Sequence, residues 1–220
     1  MLAGESIHPA ILPLKLSDTV LKARQRMAEF RLKYFPLVDG SQYLGMLSDE
    51  ALLDCSDENL RLKDLSVPLL HHFVFGNQHV YDVHQLMTEQ KIDTVAVLHA
   101  NKTYEGLIIA EGLLAALAKL TAVTVPGSVV VLEVPAHDFS LAHLSQIVES
   151  DHAIILSSGV CSFEDANRLE VTLKLNRTEI NGIVAAFERY NYKVLAVFNE
   201  FNSDHTYSDR YEQLMKYLNI

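Results

Sequence analysis

Most of the stretch Tyr34–Leu53 occurs twice in this chain. Set above Thr94–Leu114, it brings Tyr43 onto Tyr104, Gly45 onto Gly106, Glu50 onto Glu111 and Leu52-Leu53 onto Leu113-Leu114. An internal repeat at an offset of about sixty residues constrains a fold more than any single motif. One unit of that size cannot bury both its faces, so two copies must pack on each other. Each copy reads as an apolar strand, a polar turn, a second apolar strand opened by an aromatic and a glycine, and a short apolar helix. Upstream, Ser17-Asp18-Thr19-Val20 and Asn77-Gln78-His79-Val80 each precede a helix. Val20, Ala23 and Met27 correspond there to Val80, Val83 and Met87, on the i, i+3, i+7 spacing that lines one helical face. The predicted unit is lead-in, helix, strand, turn, strand, helix, and the pair encloses a cleft.

The residues Asp18-Thr19-Val20, Ala23, Met27, Phe35-Pro36-Leu37-Val38-Asp39, Gly45-Met46-Leu47-Ser48 and their second-copy partners carry a family likeness. From about Ser6 to Leu120 the chain resembles a tandem pair of cystathionine-β-synthase (CBS) domains, a Bateman module. The resemblance implies a cleft for adenosine-containing ligands. That family uses a glycine, two apolar residues, a Ser or Thr, two variable residues and an Asp. The hydroxyl bonds a phosphate or ribose oxygen, and the carboxylate accepts from both ribose hydroxyls. Copy one reads Gly45-Met46-Leu47-Ser48-Asp49-Glu50-Ala51, keeping Ser48 but placing Ala51 where the acid belongs and Glu50 where a base is common. Copy two, Gly106-Leu107-Ile108-Ile109-Ala110-Glu111-Gly112, lacks both hydroxyl and acid. The implied ligand residues are therefore Tyr34, Phe35, Pro36 and Ser48 in copy one, with Asp93 and Thr94 as the fallback in copy two. Weak binding of an adenosine-containing nucleotide is the expectation, with no certain cofactor.

Composition narrows the class. The chain is 49% hydrophobic and 21% charged, ordinary for a globular protein of two small domains. It carries 28 acidic against 18 basic residues, a formal net charge of −10, and no stretch concentrates the positive surface that a nucleic-acid partner requires. Cys55 and Cys161 fall in different predicted domains, so a reducing cytosol is expected rather than a disulfide framework. Met1–Glu5 has no basic run leading into an apolar core, and Leu113–Leu120 is too short to span a bilayer. The expected setting is cytoplasmic, with no membrane partner.

In chain order, Ser6–Leu14 is a lead-in with Pro9 and Pro13, which favour extended backbone before each ring. Asp18 can cap the following helix, and Lys22, Arg24, Arg26, Arg31 and Lys33 read as its solvated basic face. Asp57–Leu70 links the copies, and Leu62-Lys63-Asp64-Leu65 with Val67-Pro68 mirrors Ile7–Pro13. His71-His72 are adjacent and point in different directions on helix or strand, with no third ligand at useful spacing, so they are read as surface or packed residues rather than a metal site.

Pro126-Gly127 marks a boundary, beyond which the pattern changes. Ser128–Val134 is an apolar strand, Leu141, Leu144, Ile147 and Val148 an amphipathic helix, and Ala153–Ser158 a strand. Arg168–Asn176 alternates as an antiparallel strand with one wet side does, Thr178 can cap a helix bearing Ile180, Ile183, Val184 and Phe187, and Lys193–Phe198 closes the series. The order βαββαβ is the ferredoxin-like plan and resembles an ACT domain, a small amino-acid-binding module. That family holds a glycine in its first turn, whereas Pro135–Ser140 has none, and His137-Asp138 reads as turn and helix cap. Tyr207, Tyr211, Leu214, Met215 and Leu218 keep helical spacing in the tail.

The predicted fold class is α/β (α+β): two CBS repeats at 1–122 (about 6–60 and 61–122), a ferredoxin-like ACT-type domain at 123–202 and a terminal helix at 203–220. This arrangement is similar to acetoin-utilisation B-type bacterial proteins. The chain has no G-x-S-x-G, P-loop, G-x-G-x-x-G or H-E-x-x-H, so no enzyme is read. The expectation is a homodimeric regulatory protein responding to a small-molecule effector; the other reading is a ligand-free assembly module.

Overall fold

The computed structural model describes residues 1–53, 55–162 and 167–199, and these divide into two units, one ending at Leu117 and one beginning at Ala118. In the first, β1 (Leu14–Lys15), α1 (Val20–Phe30), β2 (Tyr34–Asp39), β3 (Gln42–Ser48) and α2 (Glu50–Leu53) make the first repeat. The second runs β4 (Phe73–Phe75), α3 (Val80–Gln90), β5 (Thr94–Leu98), β6 (Tyr104–Ile109) and α4 (Ala110–Leu120). Each forms a three-stranded sheet in the order β1-β2-β3 or β4-β5-β6, its lead-in strand parallel and its hairpin antiparallel. The sequence repeat carries into register: Leu14 pairs with Leu37, and Val74 with Val97. Val20, Ala23 and Met27 are buried under α1, as are Val80, Val83 and Met87 under α3.

Two local expectations are corrected. Thr19, not Asp18, caps α1, its hydroxyl accepting from the Lys22 amide at 3.3 Å. Asp18 stands one residue outside the helix and accepts from the Lys15 amide at 2.9 Å and Lys22 Nζ at 2.7 Å. Burial pushes its carboxyl up, but these bonds and the two lysine charges outweigh it and hold Asp18 below its ordinary value. The cations of α1 are not a uniformly solvated face either. Arg24 donates to the carbonyls of Leu52 at 2.6 Å and Cys55 at 2.9 Å. Arg26 lies over the rings of Phe30 and Phe35, at 5.2 and 5.6 Å, and donates to the Leu12 carbonyl. A planar guanidinium suits both tasks.

The lead-ins are exchanged between repeats. Ala3–Ser6 forms a 3-10 turn in which the Ala3 amide donates to Gln78 and the Gly4 amide to Gly76, and Ala3 is buried in the core of repeat two. Its counterpart Leu62–Asp64 does the reverse. Leu62 donates to Asp18 and Lys63 to Leu16, and Leu62 is buried in the core of repeat one.

The second unit holds β7 (Val129–Pro135), α5 (Leu141–Ser150), β8 (Ile155–Ser162), β9 (Arg168–Leu175), α6 (Asn181–Arg189) and β10 (Lys193–Phe198). Its sheet order is β10-β7-β9-β8, antiparallel throughout, which is the ferredoxin-like plan. Alternate residues Val130, Leu132, Val134 and Val171, Leu173, Leu175 share one core with Leu144 and Ile147 of α5 and with Ile183 and Phe187 of α6. Both helices therefore cover one sheet face. The caps again differ from expectation. Ser140, rather than Asp138, accepts from the His143 amide, and His137 and Asp138 make an exposed contact at 3.3 Å. Thr178 does not cap α6; its carbonyl accepts from the buried Ser128 hydroxyl at 2.9 Å. The terminal helix expected at 203–220 lies outside the described residues. Among those described, no helix is long and apolar enough to cross a membrane.

Candidate functional site

Gly45 in β3 has φ +151°, and a Cβ there would stand 2.7 Å from Leu69 Cβ. The same crossing is secured by backbone: Met46 and Leu70 exchange both N–H···O bonds, at 2.7 and 3.0 Å. In repeat two the relationship recurs with the other lead-in. A Cβ at Gly106 would run into the Ile7 side chain, and the His8 amide donates to the Leu107 carbonyl at 2.8 Å. The two motif glycines are thus where the lead-in of the opposite repeat lies against a strand, a close approach that only glycine allows. Each cleft is built from both repeats.

Tyr34 and Ser48 pair across β2 and β3, beside the start of α2. Thr94, the counterpart of Tyr34, is buried, and its hydroxyl reaches the Tyr34 carbonyl at 3.5 Å. Tyr34 itself packs against the cores of both repeats. The preceding Asp93 has a buried Oδ1 with no partner among the described residues. Buried polar atoms are rarely left so. Tyr34, Ser48, Thr94 and Asp93 are therefore joined in one neighbourhood by pairing, bonding and sequence adjacency. Pro36 is buried within β2. Phe35 is separate: wholly buried, it packs on Phe30 and under Arg26, on the α1 side of the strand.

The Ser48 hydroxyl accepts from the Ala51 amide at 3.2 Å, capping the short α2. Ala51 presents only a methyl group where the resembled family holds ribose, and Glu50 beside it is exposed. An adenosine ligand fits these residues in part. Ser48 supplies a hydroxyl and Asp93 Oδ1 an unused acceptor, while Ala51 supplies neither.

Sequence reasoning aligned Tyr43 with Tyr104 but gave them no role beyond opening a strand. Burial raises both phenols, and Tyr43 raises Tyr104 further, so both stay neutral. The Tyr43 hydroxyl reaches the His72 carbonyl at 3.5 Å, whereas the buried Tyr104 hydroxyl has no partner among the described residues. Their repetition was the available signal. His72 is held below its usual value, by burial first and then by the neighbouring His71. Among the described residues no group of three or more His, Cys, Asp or Glu side chains could hold a metal ion.

Residues 5–58 match the family model described as CBS domain. The second repeat, outside that match, has the same element order and pairing senses as the first. Among solved structures the chain is similar to a CBS domain pair/ACT domain protein from Thermotoga maritima, at 20% identity over 53% of this chain and 96% of that one, with a TM-score of 0.48. It is also similar to the CBS domains of a transcriptional regulator from Streptococcus pneumoniae (16%, 52% and 98%, TM-score 0.46). A third similar structure is CBSX2 in complex with AMP (19%, 53% and 95%, TM-score 0.45).

Proposed function

We propose that this chain is a cytoplasmic regulatory protein whose CBS pair binds a small ligand in the copy-one cleft and responds by changing how its two repeats pack. The observation that carries this is the exchange of lead-ins. A ligand seated by Tyr34, Ser48, Asp93 and Thr94 touches both repeats, so it favours one packing whenever it binds that packing better. The ligand class is adenosine-type, bound weakly because Ala51 replaces the ribose-holding acid. The second unit, whose strand order is ferredoxin-like, is proposed as an ACT-type module. Its first turn, Ala136–Asp138, contains no glycine, which argues against amino-acid binding there.

The working assembly is a homodimer. Leu53 and Leu114 occupy equivalent places on α2 and α4 and are 74% and 69% exposed. Two such leucines on one unit suit a self-complementary interface. They also favour the second reading, a ligand-free assembly module. Native mass spectrometry separates the two. The sensor reading expects a dimer mass that gains adenosine nucleotide at high ligand concentration. A dimer that takes up no nucleotide supports the assembly module, and a monomer contradicts both.

A further inference from the structure

An apolar slot, lined by none of Tyr34, Ser48, Asp93 and Thr94, lies beneath the link between the repeats. Leu65, Val67 and Leu69 alternate along extended chain, so they share one face while Ser66, Pro68 and Leu70 are exposed on the other. That face roofs Leu37, Leu44 and Leu47 of the first sheet, and the two layers enclose a slot of about 130 Å³. The slot is not closed core: Leu44, Leu65, Val67 and Leu69 are only half-buried. The roof is pinned by backbone at its ends, Lys63 to Leu16 and Leu70 to Met46. Among the described residues no backbone bond joins residues 66–69 to the sheet between those points. The roof can therefore lift without breaking a ladder.

Leu16 and Lys63 also line a wider cavity of about 430 Å³ at the mouth of the slot, with Lys15, Arg61 and Asp39 around it. Lys15, Arg61 and Lys63 are exposed, and none is engaged in an ion pair among the described residues. The nearby Asp18 carboxylate is paired with Lys22 and also feels the Lys15 charge. Arg61 and Lys63, with part of the Lys15 charge, thus face one carboxylate, Asp39, in a protein whose net charge is −10. Such local excess of positive charge beside an apolar slot has a definite complement.

We propose that this site binds an amphipathic organic anion, its aliphatic part in the leucine slot and its carboxylate at Lys15, Arg61 and Lys63. A cavity of comparable size, about 150 Å³, accepts a benzene-sized group, so the apolar part is about six carbons. Binding seats the roof on the sheet, and because the roof leads into Leu69-Leu70 on Gly45-Met46, it also stiffens the junction of the two repeats.

Titration calorimetry of the full chain with hexanoate tests this. Hexanoate is expected to bind one per chain with a Kd of about 1 mM. Acetate, lacking the tail, and hexanol, lacking the charge, should each bind about tenfold or more weakly, and salt should weaken hexanoate binding. The double variant R61E/K63E changes exposed side chains, so it should keep the wild-type melting temperature while losing at least about tenfold in hexanoate affinity. Val67→Phe, which fills the slot, should lose it as well. Failure of hexanoate to bind wild type, unaltered binding by R61E/K63E, or displacement of hexanoate by AMP would each overturn the proposal; the last would place hexanoate in the nucleotide cleft.

Discussion

Gly45 of the first repeat and Leu69 of the second repeat's lead-in stand so close that a Cβ on the glycine would lie 2.7 Å from the Leu69 Cβ. The Leu70 carbonyl would be 3.1 Å away, and the backbone at Gly45 has positive φ. Gly45→Ala should therefore lower stability by about 2 kcal/mol. Gly106→Ala should cost less, because its φ is not positive and the atoms a Cβ there meets first are side-chain atoms, those of the β-branched Ile7, and not backbone. Its main effect should be faster hydrogen exchange in the first ten or so residues. Urea titrations and exchange mass spectrometry compare the two; equal losses of stability would show that the crossing is not held at Gly45.

Arg24 ties α1 to the end of α2 through the carbonyls of Leu52 and Cys55. Removing a charged donor from two such partners should cost about 2 kcal/mol, so Arg24→Ala should lower the urea midpoint clearly. Arg31→Ala, at an exposed position, serves as the control and should be nearly silent. A silent Arg24→Ala would mean that the basic face is solvated after all.

These contrasts show what was legible in the chain. Period and alternation sufficed for the elements: the Tyr34–Leu53 repeat became two sheets in matching register, and the alternation of Arg168–Leu175 became β9. Capping was misassigned because a side chain's choice depends on which neighbours are free. Asp18 is claimed by Lys15 and Lys22, leaving α1 to Thr19. The close approach at Gly45 was legible because its glycine repeats at Gly106, whereas Ser48 has no counterpart in copy two. Phe35 was read into the cleft although strand alternation turns it toward α1, and the exchange of lead-ins leaves no trace in a period of sixty residues. That Asp93 Oδ1 is buried without a partner among the described residues is likewise a tertiary fact.

His72 supplies a pH dependence. Its folded value is depressed by burial and by His71, so the unfolded chain binds the proton more readily. Its stabilising contribution is then fully present above its ordinary value of about 6.5 and is lost as pH falls through the lower folded value. Thermal melts from neutral pH into mildly acid solution should show this loss, and His72→Gln should flatten it. A slope in the variant as steep as in wild type would assign the effect to other groups.

The exposed Leu53 and Leu114 give a test of assembly. Sedimentation equilibrium should report a dimer for wild type and a monomer for Leu53→Glu with Leu114→Glu, with little change in far-ultraviolet circular dichroism. A variant that stays dimeric would move the interface elsewhere.

The central claim is that the copy-one cleft is a nucleotide site weakened at one position, Ala51. Titration calorimetry with AMP, on wild type and on Ala51→Asp, tests it most directly. A carboxylate holding ribose hydroxyls contributes about 1.5–3 kcal/mol, so the variant should gain roughly ten- to hundredfold in affinity over weak wild-type binding. Tight binding by wild type, or no gain in the variant, would contradict it.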